Sequence, residues 1–151
     1  MDGVVTSLVA VGGTLAGSGL TYLFGWFTAR RAERVGRAER LRQDRIAAFT
    51  TFAGAITGLR QAVITLWFAR RDGPAQAEQT EADKRGAAAD HARFTVRLLV
   101  ADTEVLRLAD AVFESITAIG GAADLAELKS HEDRNQQGLN EFIEAASRYV
   151  R

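Results

Sequence analysis

VVTSLVAVGGTLAGSGLTYLFGWFT, residues Val4–Thr28, is the longest uncharged stretch of this 151-residue chain, and the fold turns on it. No charged residue occurs from Gly3 to Ala29. Arg30, Arg31, Arg34, Arg37, Arg40, Arg42 and Arg45 then follow in quick succession. An apolar run that ends abruptly in cations is the pattern of a membrane helix with a cytoplasmic flank. At about 1.5 Å per residue, the roughly 25 residues reach about 37 Å, enough to cross a hydrocarbon core with some tilt. The Leu, Val and Phe residues of the run favour insertion by about 3–6 kcal/mol before Gly, Ser and Thr reduce the sum.

Asp2 precedes the apolar run and the cations follow it, which is the reverse of a cleavable signal peptide. The reading is therefore an uncleaved anchor in the cell membrane, with residues 1–3 outside, 4–28 spanning and Arg30 onward in the cytoplasm. Tyr22 and Trp26 lie near the cytoplasmic boundary, where amphipathic rings settle among head groups. Within the span, Gly13, Gly17, Thr21 and Gly25 recur every four residues and make one small-residue face. Such a face lets two helix backbones approach closely, so it points to a homo-oligomer or a partner membrane protein. The competing account is that glycine is simply frequent in membrane helices.

Residues 29–45, ARRAERVGRAERLRQDR, contain no proline and continue the helix beyond the bilayer. Glu33–Arg37 and Arg40–Asp44 are i,i+4 pairs that support it by a few tenths of a kcal/mol each. Three readings of the seven arginines stay open: a solvated flank that fixes topology, contact with anionic lipid, or contact with nucleic acid phosphates. Interspersed Glu33, Glu39 and Asp44 weaken both binding readings, and no aromatic interleaving supports single-strand stacking.

The rest of the chain, 46–151, reads as an all-α cytosolic antiparallel bundle. There is one proline, alanine is abundant, and cysteine is absent, which excludes disulfides and thiolate chemistry. Ile46, Phe49, Phe52, Ile56, Leu59, Val63, Leu66 and Trp67 repeat in steps of three and four. Asp72-Gly73-Pro74 is the clearest stop, and 73–86 reads as a polar segment, either a hairpin connection or a loosely formed helical turn. A second helix is expected from Ala87 to Val100 with Phe94, Leu98 and Leu99 inward. Asp102 or Thr103 caps a third helix with Val105, Leu108, Val112, Ile116 and Ile119 inward, and Gly120-Gly121 ends it. A fourth runs from about Ala123 to Tyr149 on Leu125, Leu128, Leu139, Phe142 and Ile143, with Asn135–Gly138 kinking or splitting it.

Chemistry is sparse. The carboxylates beside His91 and His131 are sequence neighbours, which point away from the imidazole on a helix, so neither histidine is read as a metal ligand. Gly12-Gly13-x-x-x-Gly17 lacks the Lys-Ser/Thr ending of a phosphate loop. No catalytic residue, metal site or cofactor is expected, and the class indicated is an interaction protein. The "VGGTLAGSG" span, the segment ending "RLRQDRIAAF" and the Ala-rich helical tail together resemble the KilB-like small membrane proteins of Streptomyces and related actinobacteria. The resemblance implies a membrane-bound accessory protein in the transfer or spread of conjugative plasmids, and it carries over no catalytic residues.

Overall fold

The computed structural model describes residues 36–151 with their side chains. It contains four helices: α1 (Asp2–Asp72), α2 (Gln76–Leu99), α3 (Thr103–Gly120) and α4 (Leu125–Tyr149). The chain divides into two compact units, Met1–Leu41 and Arg42–Arg151, and no strand occurs among the described residues. The proposed span 4–28, its face of Gly13, Gly17, Thr21 and Gly25, and Arg30, Arg31 and Arg34 lie outside the described residues.

In the second unit, long-range hydrogen bonds fix the helix directions. Arg42 reaches the Val150 carbonyl, Arg60 reaches Asn135, and Arg71 reaches the Ala123 carbonyl, so α4 runs antiparallel to α1. Arg45 meets the Leu99 carbonyl and Arg70 meets Gln79, which sets α2 antiparallel to α1 as well. Val112 and Ser115 of α3 meet Asn135 of α4, while Asp110 of α3 meets Arg93 and Arg97 of α2. The result is an up-down-up-down four-helix bundle with short links.

The core is aromatic where α1 meets α4. Phe52 and Phe142 are fully buried with ring centroids 5.0 Å apart at 70°, and Phe49 packs edge-on to Phe142 at 5.8 Å. At the far end, Trp67 donates its indole N–H to the Ala122 carbonyl at 2.7 Å, so the ring is buried without an orphan donor. The apolar steps read along α1 and α3 are the buried ones, except that Val63 is half-buried and Ile46, read as inward, is 37% exposed at the start of the run. Asp102 caps α3, its carboxylate accepting from the Glu104 and Val105 amides at 3.0 and 2.9 Å. Asp102→Ala should therefore destabilise the bundle by about 0.5–2 kcal/mol. The check is urea denaturation followed by circular dichroism, and an unchanged midpoint would mean the cap adds nothing.

Three expectations are corrected. The connection is 73–75, where Gly73 takes a φ of 150°, and α2 already begins at Gln76. The sequence from Ala75 to Gly86 has no large apolar residue to show a period, yet its Ala, Glu, Gln, Lys and Arg are strong helix formers. Spaced pairs such as Gln79–Asp83 and Glu81–Arg85 support that helix. The inward face of α2 is also different: Ala82, Ala89, Ala92 and Val96 are buried and Leu99 packs against the core as expected, while Phe94 is half exposed and Leu98 is 85% exposed. Phe94 and Leu98 stand two residues from Val96, about 200° around the helix, so one phase excludes the other.

Finally, α4 is not split. Asn135 and Gly138 face inward in a continuous helix, whereas Leu125 and Ile143, read as inward, are 60% and 46% exposed. A Cβ on Gly138 would stand 3.2 Å from Val112 Cγ2, so glycine there permits the close approach of α3 and α4. Among the described residues, one stretch within Gly36–Asp72 is long and apolar enough to cross a membrane. In the bundle, that stretch supplies Phe49, Phe52, Ile56, Leu59 and Trp67 to the core.

Candidate functional site

Of the seven arginines, Arg37 and Arg40 are exposed on α1, and two others are built into the bundle. Arg42 Nε donates to the Val150 carbonyl at 2.7 Å. Arg45 Nε donates to the Leu99 carbonyl at 2.9 Å, with its guanidinium 4.8 Å from the centroid of Tyr149. These carbonyls belong to the C-terminal ends of α4 and α2, where helices leave unpaired acceptors and a partial negative charge. Arg42 and Arg45 thus hold helix ends together, a structural task that the charge pattern alone does not reveal.

The buried polar group of the bundle is Asn135, with no exposed surface. Its amide donates to the Val112 carbonyl at 3.0 Å and to Ser115 Oγ at 2.8 Å, and its oxygen accepts from Arg60 Nη1 at 3.2 Å. Ser115 donates in turn to the Val112 carbonyl at 2.8 Å. Each polar atom has a partner and no base faces the serine hydroxyl, so the cluster fixes the register of α1, α3 and α4 rather than activating a nucleophile. Sequence periodicity missed it because it treats an Asn inside an apolar pattern as a break.

On α4, His131 Nε2 lies 3.4 Å from Glu127, four residues earlier, a pairing the sequence reading overlooked by considering only adjacent acids. Glu127 also accepts from the Ala123 amide at 2.8 Å. That backbone bond first, and His131 second, hold its carboxyl below the ordinary glutamate range. Glu127 and Asp124, which accepts from the Glu127 amide at 2.8 Å, together form the start of α4. Between α2 and α3, Arg93 bonds Asp90 at 2.6 Å and lies 3.5 Å from Asp110, under the ring of Phe113. Among the described residues, no group of three His, Cys, Asp or Glu is placed to hold a metal.

The surface feature that stands apart is the outer face of α1. From Ile46 to Ala69 the only charged residue is Arg60, and Arg60 turns toward Asn135. By contrast, eight of the 24 residues of α2 and eight of the 25 residues of α4 are charged. The exposed positions on this face include Ala47, Thr50, Gly54, Thr57 and Gln61, ending at Phe68. Three of the threonine hydroxyls are satisfied within the helix: Thr50 donates to the Ile46 carbonyl at 3.0 Å, Thr57 to Ala53 at 2.9 Å and Thr65 to Gln61 at 3.0 Å. Alongside runs a groove of about 340 Å³ between α1 and α4, lined mainly by apolar groups of Ile46, Phe49, Ala53, Phe142, Ile143 and Val150. The signal was present in the sequence as an absence of charge, but it was read only as core.

Residues 46–150 match the KilB plasmid transfer protein family, a span that covers the bundle. No match is found among the curated proteins or the solved structures. The earlier resemblance rested mainly on residues 1–60, whereas the matching region begins at Ile46 and extends through all four helices of the second unit. Covering most of the chain from Ile46 to Val150, this match shows that the chain belongs to the KilB plasmid transfer protein family.

Proposed function

We propose that the protein is a single-pass membrane-anchored accessory of plasmid transfer, acting by contact rather than by catalysis. In this reading the N-terminus lies outside, residues 4–28 cross the cell membrane, and the bundle hangs in the cytoplasm. The observation that carries it is the 27-residue uncharged run Gly3–Ala29 followed at once by seven arginines. The non-enzymatic part is supported by the ionisable side chains described above, which are taken up in helix caps, ion pairs and one buried amide network. The phosphate-binding reading of the arginines gains no support from the bundle, where Arg42 and Arg45 already bond backbone carbonyls.

Two substitutions test the anchor in the full chain. Leu15→Arg with Leu20→Arg adds about 5–7 kcal/mol of insertion cost and removes two favourable leucines, enough to offset the about 3–6 kcal/mol that favours the span. The unaltered chain should stay in the membrane pellet through an alkaline carbonate wash, and the doubly substituted chain should appear in the supernatant. Release of the unaltered chain by the wash would reject the anchor. For topology, a thiol introduced by Asp2→Cys should react with an impermeant maleimide on intact cells, and one introduced by Lys84→Cys should react only after lysis. The reverse pattern would invert the orientation.

A further inference from the structure

The outer face of α1 is one that water alone does not explain. Helix faces exposed to solvent normally carry charges, as α2 and α4 do here, because ions are the groups best solvated by water. This face has none over six turns, and Gly54 leaves open space within 4 Å of where a Cβ would be. The hydroxyls of Thr50, Thr57 and Thr65 are already bonded to their own helix. Burying the face therefore strands none of these three hydroxyls, which lowers the cost of drying it, while the exposed Gln61 amide needs a partner across the contact.

We propose that this face, with the apolar groove beside it, is covered by the same face of a second copy of the chain. Three features select that occupant. A lipid surface would want large apolar or aromatic anchors together with cations, and the middle of this face, Thr50 to Gln61, has neither. Nucleic acid would want cations, which are equally absent there. Between two copies held in one membrane with the same topology, the bundles stand parallel about a two-fold axis. Residues on that axis then meet their own counterparts, so any charge would face its like. A charge-free face is self-complementary under that symmetry; the charged faces of α2 and α4 are not. The one charge of the stretch, Arg60, is turned away onto Asn135.

The size of the face fits the same occupant. About 36 Å of helix by about 10 Å of width gives about 360 Å² per copy, or roughly 700 Å² for the pair. That is below the about 1,200 Å² of a specific interface that holds in dilute solution. A contact of this size forms where tethering raises the local concentration, which a shared membrane does. The proposal rests on the anchored reading in this respect, and it extends it by naming the soluble surface through which the copies meet.

The test uses the full chain in native membranes, and the absence of native cysteine makes single thiols specific. Thr57→Cys should give at least five-fold more oxidised dimer than Ala88→Cys on α2 or Ala111→Cys on α3, all three positions being exposed. Adding Gly54→Trp to Thr57→Cys should lower the dimer at least five-fold. The melting temperature should hold or rise, since the site is open and a helix-weakening glycine is lost. Equal yields at the three positions, or a yield unmoved by Gly54→Trp, would overturn the proposal. Protection of the Thr57→Cys thiol from maleimide without self-crosslinking would put a different partner there and overturn the second copy. The two readings fail separately. A chain released by carbonate that still crosslinks selectively through position 57 rejects the anchor and keeps the face. A membrane-held chain with equal yields does the opposite.

Discussion

Phe52→Ala is expected to cost the bundle about 3–5 kcal/mol, the range for emptying a buried phenylalanine site. Phe52 is fully buried on α1 and stacks edge-on with Phe142 of α4 at 5.0 Å, which in turn meets Phe49 at 5.8 Å. Removing the ring loses its transfer free energy, its aromatic contacts and the support of two neighbours that cannot both collapse into the space. A domain of this size has about 5–15 kcal/mol in all, so the variant should be at or near its unfolding threshold at 37 °C. The control is Phe94→Ala, the same change at a half-exposed position on α2, expected to cost less than about 1 kcal/mol. Urea denaturation followed by circular dichroism compares the two. Equal losses would mean that Phe94 is inward and that the phase assigned to α2 is wrong.

Asn135→Leu is the second large effect, about 1–3 kcal/mol, and its physics is different. The branched shape is kept, although leucine is the bulkier side chain, but Arg60 loses its amide acceptor and Ser115 loses the donor at 2.8 Å. The cost of a buried polar group comes mainly from leaving its partner unsatisfied, so removing both partners should be cheaper than removing one. Arg60→Met added to Asn135→Leu should therefore recover part of the loss, with a coupling of at least about 0.5 kcal/mol in a double-mutant cycle. Strict additivity would show that Arg60 turns to solvent once Asn135 is gone, and that the network does not fix the register.

These two sites mark how far the sequence could be read. Phe52 was legible because α1 and α3 carry large apolar residues at steps of three and four, and a single periodic face fits only one helix phase. Asp102 was legible for a similar reason, since a short acid directly before an apolar period has one favourable use. Asn135 was not. An isolated polar residue in an apolar pattern signals a break unless three partners from two other helices arrive to satisfy it, and those partners lie 20, 23 and 75 residues away. The phase of α2 was hidden for the complementary reason. Its buried residues are mostly alanines, whose burial gains little per residue, while Phe94 and Leu98 dominate any hydrophobicity count from the exposed side.

Period, propensity and charge along the chain determined the class of this protein: all-helical, with an uncharged amino-terminal run, an arginine segment and a helical remainder. They did so because they are local properties that survive without knowledge of neighbours. What the tertiary structure decided is which face of each helix is inside and what the polar residues are for. Arg42 and Arg45 became caps for the ends of α4 and α2, Asn135 became a lock, and the uncharged outer side of α1 became a surface. Each of those depends on groups far apart in the chain meeting in space. Apart from the missing charges along α1, no pattern along a single helix carries that information.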